Sequence, residues 1–291
     1  MKLQSIPKFR TKNELHKFIK DNQDTLMAEK RMQTKFADSF CYSPSIQAEA
    51  VAQTSEMFKA ISNGEPISTK GQLKTLVVIN STNIIDSYLD MHVPSLWKKS
   101  LMENKNIKFL QEHDMKFDKI IADKGDLKAM AKSMRWSELG LPYKGVTEAL
   151  VFEALVKQER NPYMYEQYSK GNVDQHSVGM QYVTMVQCID NEDKYFKEEK
   201  ENWDAYISLA VNPEAAEEYG FFYAVTQAKV IEGSAVVLGA NNATPTLLVD
   251  EMEPAKSIPV STQEPKKLTP IIDYDYLMGH INLFKTKTFY E

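Results

Sequence analysis

Two cysteines in 291 residues, Cys41 and Cys188, are too few for a disulfide framework and form no C-x-x-C pair. A stapled secreted scaffold and a zinc ribbon are therefore not indicated, and a reducing, intracellular setting fits. Long apolar runs are also missing. Runs such as 76–79 and 235–238 fall far short of the ~20 residues that a membrane-spanning helix needs. The early positive charge of the first residues is followed by no apolar stretch, so they are not expected to act as a secretory signal. There is no P-loop, no dinucleotide fingerprint and no metal-spaced His/Asp cluster, and the expectation is an activity without cofactor or metal. A basic excess is absent as well. The formal charge is -5, which argues against a dedicated nucleic-acid binder. With 43% hydrophobic and 26% charged residues, the chain reads as a soluble cytoplasmic globular protein, with neither membrane nor nucleic acid as partner.

Three stretches differ in character. Residues 1–72 read as a polar helical arm. Thr11 and Glu14 have capping-box spacing ahead of Leu15, Phe18 and Ile19, and a second helical stretch covers 45–61, ending at Ser62-Asn63-Gly64. Neither helix is apolar enough to build its own core, so the arm is expected to dock on something. Residues 73–247 change rhythm. Residues 75–79 (TLVVI) read as a buried strand, and 146–156 (VTEALVFEALV) as a strand or a helix. Residues 161–170 (NPYMYEQYSK) read as a helix begun by Asn-Pro, and 175–186 as a strand. Residues 191–202 read as an exposed loop or solvated helix. A helix begins at Pro213 with Asn212 as its cap, and a strand covers 231–238. Residues 248–291 form a tail whose 251–270 portion holds four prolines and reads as an extended linker.

Serine becomes a nucleophile only beside a base, and histidine is the usual one, steadied by a third group on its far nitrogen. Residues 175–180 (QHSVGM) place Ser177 ahead of an apolar strand, with Gly179 two residues on to admit a substrate backbone. His113 follows 107–110, which reads as a strand. Glu232 lies in an apolar run, where a carboxylate is costly to bury unless paired. Each has a plainer reading when taken alone: a serine at a strand start, a turn histidine paired with Glu112 or Asp114, a carboxylate on an exposed strand face. His16, His92 and His280 stand in polar or amphipathic surroundings and read as surface residues, and the tyrosines of 163–168 as helix face and core.

Taken together, these pieces resemble the prohead maturation proteases of tailed phages with the HK97-type capsid. In that family a strand ends in histidine-aspartate, matched by residues 110–114 (LQEHD). Next, after a helix, comes Ser-x-Gly and an apolar residue, matched by 177–180. Last comes an acidic residue and a serine in a strand before a small-residue Ala-Asn loop, matched by Glu232, Ser234 and 237–243 (VLGANNA). The resemblance spans about 75–247. Gly239 stands where the family has proline, His176 before the serine is not a family feature, and 120–145 looks like an enlarged connection.

The resemblance implies an α+β fold, a small, mainly antiparallel β-barrel flanked by helices as in the herpesvirus assemblins. It implies a serine endopeptidase with Ser177 as nucleophile, His113 as base and Glu232 as the group orienting His113. Because assemblins use two histidines, His176 is the alternative third member, though a residue adjacent to Ser177 in a strand points to the opposite face. The implied substrates and partners are scaffold or delta segments of the major capsid protein and the chain itself, inside the assembling prohead in the host cytoplasm, with self-association among the expectations. The arm at 1–72 would bind scaffold or shell, the protease domain would cover 73–247, and the tail at 248–291 would be a site of self-cleavage. Two other readings stand beside this one. One is a non-catalytic capsid assembly or scaffolding protein built on the same fold. The other is an unrelated β-rich esterase or amidase, whose α/β-hydrolase version is disfavoured because Gln175 occupies the first glycine of a Gly-x-Ser-x-Gly elbow.

Overall fold

The computed structural model describes residues 9–32, 71–86, 88–239 and 243–249. The described chain is mixed α+β, with two sheets of mostly antiparallel strands. One sheet runs β5 (Leu127–Arg135), β6 (Val146–Lys157), β1 (Gln72–Ser81), β9 (Thr246–Val249), all antiparallel. The second is built around β8 (Phe221–Ala235). On one edge β8 pairs antiparallel along its length with β7 (His176–Ile189). On the other it runs parallel to β2 (Asp90–His92) and β3 (Lys108–Gln111), and β3 in turn pairs with β4 (Ile120–Asp123). Among the described residues no hydrogen-bonded strand pairing joins the two sheets, and no closed barrel is found among them.

β1 explains its own composition. Val77 and Ile79 enter the core between the two sheets, while Leu76 and Val78 enter a second cluster with Met134, Trp136 and Val151 on the far face. A strand buried on both faces reads as a continuous apolar run rather than an alternating one. The sheets meet closely at Gly233, where a Cβ would lie 2.6 Å from a Phe152 ring carbon and 2.9 Å from the Ile79 side chain. Phe109 of β3 packs edge-on against Phe152 of β6 beside this point, ring centroids 5.9 Å apart.

Helices sit outside the sheets. α1 (Lys12–Asp21) is capped by Thr11, whose hydroxyl accepts from the Glu14 N–H. The Glu14 carboxylate reaches back to the Arg10 N–H, one residue earlier than a capping box requires. α1 and α2 (Gln23–Met32) bury Leu15, Ile19, Leu26 and Met27 in the same core as β7 and β8. The described part of the arm thus docks on its own chain. The expected helix at 45–61, the tail at 248–291 beyond Val249, Cys41 and His280 lie outside the described residues. α3 (Lys98–Glu103) precedes β3. α4 (Pro162–Ser169) is capped by Asn161, which accepts from the Met164 N–H. α5 (Lys197–Tyr206) follows a short 3-10 turn and packs Trp203 against Phe222. Among the described residues no helix is long and apolar enough to cross a membrane.

Several expectations change. Residues 120–145 are not a mere connection but supply β4 and β5. The ambiguous 146–157 stretch is strand. The last strand of the second sheet begins at Phe221, ten residues before the expected start, because Gly220 at φ +71 ends α6 (Glu214–Tyr219) in a left-handed turn. Asn212 does not cap α6. Its amide instead accepts from the Ile85 N–H and donates to the Ile85 carbonyl, and Pro213 takes the cap position. His16 and His92 are buried, 3% and 7% exposed, because each has polar partners inside. His16 meets the Tyr219 carbonyl and Asn191, and His92 meets Asn80 and Tyr182.

Candidate active site

The site forms where β3, β8 and β7 lie side by side. Register places Leu110 opposite Ser234 on one edge of β8 and Ser177 opposite Ser234 on the other. Alternation along the strands then sorts the side chains by face. Glu232, Ser234, Ser177 and Gly179 share one face. Gly233, Val178 and His176 share the other, toward Phe109 and the first sheet.

His113 enters this face from the turn that ends β3. Glu112 and His113 both adopt left-handed backbone, φ 51 and 57. For residues other than glycine this conformation costs on the order of 1–3 kcal/mol each and clusters at functional sites. Three hydrogen bonds hold the turn. The Glu112 N–H donates to the Ala235 carbonyl at 2.9 Å, the His113 N–H to Ser234 Oγ at 3.1 Å and the Asp114 N–H to the Gln111 carbonyl at 3.0 Å. The turn lays the His113 ring over β8, where Nδ1 meets Glu232 Oε1 at 2.7 Å. The His113 side chain is 12% exposed and that of Glu232 is fully buried.

Glu232 is the fixed point. One oxygen faces His113 Nδ1, and the other accepts from Ser234 Oγ at 2.6 Å. A buried carboxylate survives only with such partners. Room for it comes from Gly179, directly opposite on β7, where a Cβ would overlap the carboxylate and lie 2.7 Å from Cδ. The glycine therefore clears space for the acidic group, a need separate from the substrate approach expected of it.

Ser177 is buried to 4% exposure and sits one strand over from the His113–Glu232 pair, registered to it through Ser234. Two strand spacings, roughly 10 Å, separate its backbone from β3. With Nδ1 donating to the carboxylate, the neutral ring carries its lone pair on Nε2, the nitrogen that could take a proton from a hydroxyl.

His176 takes no part in this face. It is fully buried, with Nε2 2.9 Å from the Tyr168 hydroxyl and Nδ1 2.9 Å from the Thr244 carbonyl. Burial pushes its pKa down to about 4, against a smaller upward pull from the Thr244 carbonyl, and it pushes that of Tyr168 well up. The pair is a neutral clamp joining α4, β7 and the 243–246 segment behind Ser177.

The three candidate residues thus fall in one region, two of them in direct contact. Sequence reasoning named Ser234 only as part of a motif. Its spacing of two from Glu232 within a strand was the signal that both side chains share a face. The left-handed Glu112–His113 turn had little sequence signal: histidine is among the residues enriched at positive φ, but glutamate is not and no glycine marks the turn. Among the described residues no group of three or more His, Cys, Asp or Glu side chains could hold a metal ion.

No family model, curated protein or solved structure matches this chain.

Proposed function

We propose that this chain is a serine endopeptidase of the phage prohead maturation type, with Ser177 as nucleophile and His113 as base, oriented by Glu232. The observation that carries the reading is the His113 Nδ1–Glu232 contact at 2.7 Å, on the strand face that Ser177 shares, with Glu232 opposite Gly179 and Ser177 two residues along β7 opposite Ser234. A fully buried carboxylate facing one imidazole nitrogen sets the tautomer and supports the cation formed when the other nitrogen accepts a proton. Ser177 Oγ would attack the scissile carbonyl as its proton passes to His113. The same proton would then go to the leaving amine, and water would release the acyl group by the reverse relay. In this reading the fold is of the assemblin-like kind, although among the described residues its two sheets are not joined by strand pairing. The substrates are scaffold or delta segments of the major capsid protein and the chain itself, within the prohead in the host cytoplasm.

The low exposure of Ser177 favours one alternative, a non-catalytic assembly protein on the same scaffold. A fluorophosphonate probe separates the two. The full chain is expected to be labelled at Ser177, with labelling lost in Ser177→Ala and His113→Ala. Co-expression with the scaffold-bearing capsid protein is expected to yield cleavage only with the wild type. A folded wild-type chain that neither labels nor cleaves is the assembly protein instead.

A further inference from the structure

Ser234 lies between the three residues of the candidate site without being one of them. It is fully buried, and its hydroxyl is used in both directions. It donates to Glu232 Oε2 at 2.6 Å and accepts from the His113 N–H at 3.1 Å. With the His113 Nδ1–Glu232 Oε1 contact at 2.7 Å, these bonds close a ring: His113 backbone to Ser234, Ser234 to Glu232, Glu232 to the His113 ring. Nothing else about position 234 demands a hydroxyl. Its backbone is an ordinary strand, paired with Leu110 on one side and Ser177 on the other.

We propose that Ser234 is a positioning residue that locks Glu232 and His113 into one unit facing the Ser177 strand. Two physical needs meet in its hydroxyl. A carboxylate held on one oxygen only can rotate about its terminal torsion, which is broad and roughly two-fold. Ser234 holds the second oxygen and so fixes the plane in which the carboxylate faces His113. The left-handed Glu112–His113 turn is strained and persists only where its surroundings over-determine it. The bond from the His113 N–H to Ser234 Oγ supplies one of the three restraints on that turn. A single buried hydroxyl therefore sets both the acidic group and the backbone that carries the base.

The catalytic consequence rests on the endopeptidase reading, but the hydrogen-bond ring does not. The experiment separates them. In the Ser177→Ala background, which removes any self-cleavage, proton NMR of the full chain is expected to show a His113 Nδ1–H resonance downfield of the amides, identified by its loss in His113→Ala. Adding Ser234→Ala is expected to shift or broaden that resonance, and Ser234→Thr to keep it. Should Ser234→Ala fail to fold, Ser234→Cys fills the same space with a far weaker donor and is expected to behave like the alanine variant. An unchanged resonance in whichever removal variant folds, or no such resonance without the second substitution, overturns the positioning role. With Ser177 present, the removal variants are expected to label with fluorophosphonate roughly 10- to 100-fold more slowly, by analogy with groups that orient metal-ligating side chains, with partial recovery in Ser234→Thr. A wild type that never labels defeats the protease reading and leaves the NMR result to decide this one.

Discussion

Gly179 carries a hydrogen where any other residue would drive a carbon into the Glu232 carboxylate. Gly179→Ala must therefore displace either the carboxylate or β7. It is expected to destabilise the chain by about 1–3 kcal/mol, the usual cost of overpacking, seen as a lower urea midpoint, and to abolish labelling of Ser177 with it. Glu232→Gln keeps the size of the side chain but removes its charge, so the His113 tautomer and its cation lose their support. Peptidase turnover is expected to fall roughly 10^2- to 10^4-fold with a near-native circular dichroism spectrum. Ser177→Ala is expected to cost at least about 10^4-fold, since the nucleophile itself is gone. A Glu232→Gln protein as active as the wild type would remove the carboxylate from the mechanism.

At the scale of elements, the pairing of β7, β8 and β3 does the assembling, and the helices of the arm hold it from outside. α2 is fastened by Lys30, whose ammonium meets the fully buried Asp90 on β2 and lies 4.5 Å from the centroid of the Tyr223 ring on β8. Asp90 also accepts from the Tyr182 hydroxyl, which in turn meets His92. One polar chain thus crosses from the arm through β2 to β7. Removing one partner of such a pair leaves a buried charge uncompensated. Lys30→Met is therefore expected to lower stability by about 3 kcal/mol, measured by urea unfolding, and to raise proteolytic sensitivity in α1 and α2. A loss under about 0.5 kcal/mol would mean that the arm is held by its apolar face alone.

For the whole molecule, buried histidines contribute to the response to acid. His176 is held neutral by burial, its pKa lowered to about 4, while in the unfolded chain it takes up its proton near the ordinary histidine value of about 6.5. Above that pH both states are neutral and the residue contributes no pH dependence. As pH falls toward 4 the unfolded state is favoured, by on the order of 3 kcal/mol from this residue. His16, its pKa also lowered by burial, acts in the same direction. Thermal unfolding between pH 7 and 4 is expected to show this decline, and His176→Gln to flatten it. An equal decline in the variant would place the acid sensitivity elsewhere.

Periodicity and cap chemistry were enough, by themselves, to find β1, β7, α1 and α4. The apolar run at 75–79, the Thr11 and Asn161 caps and the stretch after Gln175 are local signals, and local forces form those elements. The i, i+2 spacing of Glu232 and Ser234 also put both on one strand face, and adjacency alone turned His176 away from Ser177. Other features depended on contacts between residues far apart in the chain. The early start of β8, after Gly220 ends α6, is completed by pairing of Phe221 with Ile189 of β7. The burial of His16 and His92 follows from partners about 200 and 90 positions away for the longest of their bonds. Asn212 left its helix for the backbone of Ile85. The candidate site is divided in the same way. Residue types made His113, Ser177 and Glu232 worth considering, but only the register of three strands and a strained turn joined His113 to Glu232. Side-chain chemistry is written in the sequence, whereas the meeting of distant side chains is decided by tertiary pairing.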